Sequence, residues 1–326
     1  MKYPILKLLK VLEERKKSAT DIVSVFRMLD GIEGVILSLG DHGSYTISPF
    51  AHNNIATLCD IPKTYYDHLL DDAPDILCTI VNRFSNDAML CRISDGEIRA
   101  ILSDHYRIID NHELLTWVLE CLPAGMKGYE GNLTDSRMYV KFLGKGTITV
   151  GEHKLTPGIA VQNSEIGTGA VRVDMFALIN DHDCGMIIRQ PTARIHLGRK
   201  VDAGVVDTAE GPEYVRQQVE HSIELATDPK RIGVVAAAIR ENALQPVDKP
   251  VDTVNRIARN TRIKKSDTLQ LLNRFLDKSI KTRWHLALAT ATTATLVGDQ
   301  DKAITLERLA GMIATDRGES VQTSLT

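Results

Sequence analysis

Apolar residues recur at helical spacing from the start of the chain. Ile5, Leu8, Leu9 and Leu12 fall on one face, which predicts an amphipathic helix, and the first thirty residues read as helical up to Gly31 and Gly34. The pattern then shortens. Two apolar runs at 35–39 and 44–47 flank GDHG and predict a hairpin. Helical spacing returns over 49–59 and again in DIPKTYYDHLL, where Pro62 stands near the first turn and Tyr65, Tyr66 and Leu69 supply the apolar contacts. Residues 76–81 continue helical. AMLCRI and IRAILS, separated by SDGE, predict a second hairpin. Asp110 or Asn111 is placed to cap the helix ELLTWVLECL, which stops before Pro123.

From about 127 to 200 the runs become strand-like: MYVKFLG, TITVG, GIAVQNS, GAVRVDMFALI and GMIIR are rich in β-branched and aromatic residues and are separated by Gly, Asn, Asp and Pro. From about 210 six helical stretches follow, punctuated by Pro229, Pro246, Pro250 and Gly298. No repeat of fixed period occurs. The expected architecture is α+β: an N-terminal helical segment over 1–34, a mixed antiparallel-sheet core with helices and β-hairpins over 35–205, and a helical C-terminal region over 206–326.

Composition narrows the class. Hydrophobic residues make up 43% and charged residues 25% of the 326, which excludes a disordered, collagenous or disulfide-scaffold chain. Lys7 and Lys10 interrupt any signal-peptide core, and no run approaches the 18 apolar residues of a membrane span. The five cysteines are scattered without a CxxC pair, against both a disulfide framework and a zinc knuckle. The expectation is a cytoplasmic protein with no membrane partner.

The formal net charge of −3 hides an asymmetry. Residues 229–283 hold thirteen bases against five acids, a surplus of eight, which leaves −11 on the remainder. Within that basic segment, RIARNTRIKK at 256–265 has five bases and no acid. Arg256 and Arg259, three apart, share a helical face, with Arg262 beside them if the helix continues. These three together with Lys264, Lys265, Lys278, Lys281 and Arg283 are the candidate nucleic-acid contacts. The stretch TVNRIARNTRIKKSDTLQLLNRF also has the layout of two short helices joined by a turn, as in a helix-turn-helix. The same charges would equally serve as a solvated face that balances the acidic remainder.

Catalytic signatures are scarce. There is no GxxxxGK[ST], HExxH or GxSxG, and GTG at 167–169 lacks the third glycine of a dinucleotide fingerprint. His182 and Cys184 provide two ligand types where a zinc site needs four. Asp71, Asp72 and Asp75 in DDAPD read as carboxylates at a helix start, so neither a metal nor a cofactor is expected. The densest polar block, RAILSDHYRIIDN, offers Asp104, His105 and Arg107 as candidate acid/base and phosphate-binding groups, although neighbours on a strand point to opposite faces. A structural corner accounts for the same residues. Asp104 would accept turn N–H groups, Arg107 would pair with Asp110, and Asp110 or Asn111 would cap the next helix.

That block also carries a family resemblance. ISPFAHNNIATLCDIPKTYYDHLL, RISDGEIRAILSDHYRIIDNHELL, NSEIGTGAVRVDMFALINDHDCGM and TRWHLALATATTATLVGD together resemble the phage/plasmid-like family of uncharacterised prokaryotic proteins. The central signature, RAxLSDxYRxIDN, is the specific one. The chain departs from it at His105, where the family more often has a basic residue, and at Cys184-Gly185, where an Asn-Gly is usual. The resemblance implies a mobile-element origin and assigns no chemistry. With the basic segment, it points to a non-catalytic DNA-binding accessory protein of a phage or plasmid. A role in recombination or replication, by single-strand binding or annealing, is the narrower form. Single- or double-stranded DNA is the expected partner, with self-association and a host protein as further ones. Aromatic residues are only 5%, and near the basic segment Phe275 and Trp284 alone could stack on bases. Two other readings stand beside this one: a nucleic-acid- or nucleotide-processing enzyme built on the 103–110 block, and an anti-defence or host-takeover protein whose acidic remainder engages a basic bacterial partner.

Overall fold

A computed structural model describes residues 2–32, 34–104, 106–189, 194–195 and 211–315. In chain order the elements are β1 (Lys2–Tyr3), α1 (Ile5–Ser18), β2 (Ala19–Ser24), β3 (Arg27–Gly31), β4 (Gly34–Ser38), β5 (Ser44–Ile47), α2 (Pro49–Leu58), α3 (Lys63–Asp72), α4 (Pro74–Phe84), β6 (Met89–Ser94), β7 (Glu97–Ser103) and α5 (Asn111–Cys121). Then come β8 (Lys127–Leu133), β9 (Met138–Leu143), β10 (Ile148–Val150), β11 (His153–Asn163), β12 (Val171–Ile179), β13 (Cys184–Ile188), β14 (Arg194–Ile195), α6 (Gly211–Thr227), α7 (Pro229–Ala243), α8 (Pro250–Thr261), α9 (Lys265–Leu276), α10 (Arg283–Ala294) and α11 (Gln300–Thr315). The fold class is α+β, with two sheets and a helical C-terminal region. Among the described residues no helix is long and apolar enough to cross a membrane.

The N-terminal helix is shorter than its periodicity suggests. It ends at Ser18, and Ala19–Ser24 is a strand paired antiparallel with β6 some seventy residues later. The run ATDIVS has the β-branched composition of a strand, and the partner that completes it lies far away in sequence. The smaller sheet has the order β2-β6-β7-β5-β4-β3. Its one parallel junction, β5 on β7, joins two locally formed antiparallel units across the helices α2, α3 and α4. Those helices cover one face with Ile55, Tyr66, Leu77 and Val81. At the β6–β7 turn Asp95 and Gly96 both take positive φ, the requirement of a tight two-residue hairpin.

The larger sheet runs β1-β8-β9-β11-β12-β13, with β10 on β11 and β14 on β12, all antiparallel. Period-2 alternation sorts its side chains cleanly. On one face Val140 and Phe142 of β9, Ile159 and Val161 of β11 and Val173 of β12 pack against Leu8 and Leu12 of α1, Leu115 and Val118 of α5 and Val219 of α6. Farther along the same face Leu155, Met175 and Ala177 meet α7 to α10. Strand β8 carries glycines where α1 crosses it: a Cβ on Gly128 would sit 2.3 Å from Ile5 Cγ1.

The opposite face is mixed: Tyr139, Ala160, Phe176 and Ile187 pack with Ile304 of α11, and charges pin the same helix there. Lys141 of β9, 4% exposed, places its Nζ 3.0 Å from Glu130 Oε2 of β8 and 2.6 Å from Glu307 Oε1 of α11. Burial pulls its pKa down, but the Glu307 and Glu130 carboxylates outweigh burial and hold it above the ordinary lysine value. The next residue of α11, Arg308, donates Nη2 to Gln162 Oε1 at 2.7 Å. The same helix wraps the edge strand β13 so closely that a Cβ on Gly311 would lie 2.1 Å from the Ile187 carbonyl oxygen.

Two outcomes are expected. In urea denaturation Lys141→Met, which strands the buried Glu307 and the half-buried Glu130, lowers the unfolding free energy by about 3–5 kcal/mol, whereas adding Glu130→Leu and Glu307→Leu recovers most of it. A single substitution without measurable cost would show that the triad is not sealed. In the smaller layer, His52 Nδ1 and the Tyr66 hydroxyl are hydrogen-bonded at 2.7 Å, and burial, aided by Lys63, holds His52 down to about 4. Its folded value lies below the unfolded one, so the unfolded chain takes the proton first. Stability therefore falls as pH drops from about 6.5 towards 4. A His52→Gln variant should show a flatter melting profile over that window.

Candidate nucleic-acid interface

The basic segment folds as a helical hairpin. Helix α8 and helix α9, twelve residues each, are joined by residues 262–264. Val254, Ile257, Leu271 and Phe275 bury one face of the pair in the same core as α7 and α10, and Ile263 tucks in from the turn. Asp252 and Asp267 stand in the first turns, where the helix dipole favours a carboxylate. The base of the hairpin is tied by a short antiparallel contact. Pro246 bridges Thr282, the Val247 N–H donates to the Lys281 carbonyl at 2.8 Å, and the Arg283 N–H donates to the Gln245 carbonyl at 2.8 Å.

The structure sorts the eight sequence-predicted contacts into three groups. Arg259, Arg262, Lys264, Lys265 and Lys278 are exposed. Arg256 and Lys281 are half-buried, and the Arg256 Nε is buried without a hydrogen-bond partner among the described residues. Arg283 is buried, 8% exposed, with Nη1 donating to Gln245 Oε1 at 3.2 Å; it braces the base of the hairpin instead of facing outward. None of the first seven reaches a carboxylate within ion-pair distance among the described residues. Both lysines at 264 and 265 sit at the start of α9, the positive end of its dipole, which adds to the local potential.

Three residues on α9 stand outside the eight candidates, two because they carry no charge and Arg274 although it was among the thirteen bases counted. Gln270, Asn273 and Arg274 are exposed on the side away from Leu271 and Phe275, with Ser266 one turn earlier. The complement of the buried Leu271–Phe275 spacing was the signal that would have found them. Phe275 and Trp284, the aromatics expected to stack on bases, are 0% and 5% exposed and belong to the core.

The 103–110 block lies elsewhere. Ser103 ends β7, its hydroxyl donates to Asp104 Oδ1 at 3.3 Å, and the Tyr106 N–H closes a turn onto the Ser103 carbonyl at 2.8 Å. His105 lies outside the described residues. Asp110 does not pair with Arg107. Instead it meets Arg92 and, at 3.5 Å, Lys16, because Arg92 is buried on β6 and needs a carboxylate. Asp110 occupies the cap position of α5 without a side-chain cap bond, and Glu165 Oε1 accepts the Asn111 N–H at 2.6 Å in its place. These contacts tie the corner to the β11–β12 loop. Asp71 and Asp72 lie in the last turn of α3 and Asp75 in the first turn of α4.

Arg262 adopts the left-handed conformation, φ 51° and ψ 36°, which disfavours any residue with a Cβ by about 1 kcal/mol. Arg262→Gly should therefore raise the unfolding free energy measured in urea by about 0.5–1 kcal/mol while removing one surface charge. A loss of stability would mean that the arginine side chain holds the turn. Comparison with family models, curated proteins and solved structures returns no match.

Proposed function

We propose that the chain is a non-catalytic DNA-binding protein that grips the phosphate backbone with the α8–α9 hairpin. The observation that supports this reading is the set of exposed bases on two short helices and their turn, Arg259, Arg262, Lys264, Lys265 and Lys278, none of them ion-paired among the described residues. An unneutralised cluster of this kind attracts polyanions and releases their counterions on binding. The outward row Ser266, Gln270, Asn273 and Arg274 gives α9 donors and acceptors suited to base edges in a major groove. Burial of Phe275 and Trp284 removes the stacking surface that a single strand would use, which favours duplex DNA over the single-strand annealing role. The reading keeps the phage or plasmid setting that the sequence resemblance implies, in the cytoplasm of the host, as an accessory to recombination or replication.

The salt dependence of binding tests this. With a fluorescent duplex, wild-type affinity should fall linearly in a log–log plot against salt. Replacing Arg259, Arg262 and Lys265 with Ala should reduce the slope by up to about 3, at about 0.9 per phosphate contact. Removing the same charge through Lys7→Ala, Lys10→Ala and Lys127→Ala, all exposed on other elements, should leave the slope unchanged. Equal slopes for the two triple variants would remove the hairpin from the interface.

A further inference from the structure

A cleft of about 710 Å³ opens where the two sheets meet, built from elements that take no part in the basic hairpin. Arg15 from the last turn of α1 and Arg99 from β7 line it. Phe50 from the first turn of α2 and Ile166 from the β11–β12 loop add apolar surface, and Asp95 and Glu97 from the β6–β7 hairpin, with Asp135 from the β8–β9 turn, add carboxylates.

The two arginines are in an unusual position for this protein. Arg92, on the neighbouring strand, is buried and matched by Asp21 and Asp110. Arg99 is half-buried and donates Nη2 to the main-chain carbonyl of Asp135, with no carboxylate at ion-pair distance among the described residues. Arg15 likewise has no ion pair among them. Burial, and then the like charge of Arg15, push the Arg99 guanidinium below its ordinary value against the opposing pull of Glu165 and Asp135. Two guanidiniums lining one open cleft are the donor set that an anion with several oxygens requires, since a phosphoryl group can accept from both forks at once. Helix α2, ten residues long, turns the positive end of its dipole to the same cleft.

Size and the remaining walls narrow the ligand. The volume lies in the range that holds whole small-molecule ligands, well above what a lone phosphate needs. Phe50 and Ile166 offer a surface to a planar ring, and Asp95 and Glu97 can accept from hydroxyl or amino groups. The same carboxylates repel a long polyphosphate. We propose that this cleft binds a nucleoside monophosphate, with the phosphoryl group on Arg15 and Arg99 and the nucleoside between the apolar wall and the carboxylates.

Isothermal titration of the full chain with AMP, CMP, adenosine, ATP and inorganic phosphate tests this. At least one monophosphate should bind, with adenosine, ATP and inorganic phosphate each weaker by about ten-fold or more. Arg15→Gln/Arg99→Gln should weaken the monophosphate by at least about ten-fold. If that pair fails to fold, Arg15→Gln alone should act in the same direction and also abolish the ligand-induced rise in melting temperature. Absence of heat from both monophosphates at millimolar concentration overturns the proposal. Unchanged affinity in the arginine variants overturns it too, as does inorganic phosphate binding as tightly as the nucleotide.

Discussion

Lys141 carries a full charge into the interior, and a buried ammonium tolerates few arrangements of its neighbours. Glu130 reaches it from the adjacent strand, so that half of its surroundings is fixed by sheet register. Glu307 arrives from α11, so the triad also sets where along the sheet that helix lies and how it is rotated. With Glu307 fixed, Gly311 falls one turn later against the Ile187 carbonyl, and α11 closes the β13 edge. Leu306, Leu309 and Ile313 then complete the core into which α10, α8 and α9 pack. The apolar contacts of Ile304 hold α11 against the sheet, and the ion triad fixes its position and rotation more narrowly than they would alone.

Much of the architecture was legible because it rests on local periodicity. The six C-terminal helices, the hairpin at SDGE and the strands from 138 to 188 all announce themselves within windows of about a dozen residues. What could not be read depends on distant partners. Ala19–Ser24 becomes a strand because β6 lies beside it. KGYEGNL becomes β8 although its glycines weaken a strand, because α1 must cross there. In the candidate interface, the excess of bases was visible in the chain, yet Arg283 and Lys265 look alike in a charge count and differ completely in the fold. The cleft between the sheets draws on residues from Arg15 to Ile166, a span no sequence window covers.

The arginines of this protein therefore divide by surroundings instead of by sequence neighbourhood. Arg92 is satisfied by carboxylates, Arg283 by an amide and a hairpin base, and Arg99 chiefly by one carbonyl. Guanidinium stays charged in all three settings, so the protein cannot relieve an unmatched one by releasing its proton. A guanidinium without a carboxylate at ion-pair distance is therefore a better place to look for an anion than the total charge.

The parallel junction between β5 and β7 has a kinetic meaning. Each antiparallel unit of the smaller sheet, β3-β4-β5 and β6-β7, can zip from its own turn within microseconds. Joining them side by side requires closing a loop of about fifty residues, and that entropy is lost before any contact is gained. Helices α2, α3 and α4 fill that loop, so their collapse onto Tyr66 and Leu77 brings the two halves within reach. The order of events in this layer follows from its topology: hairpins first, helices next, and the sheet whole only at the end.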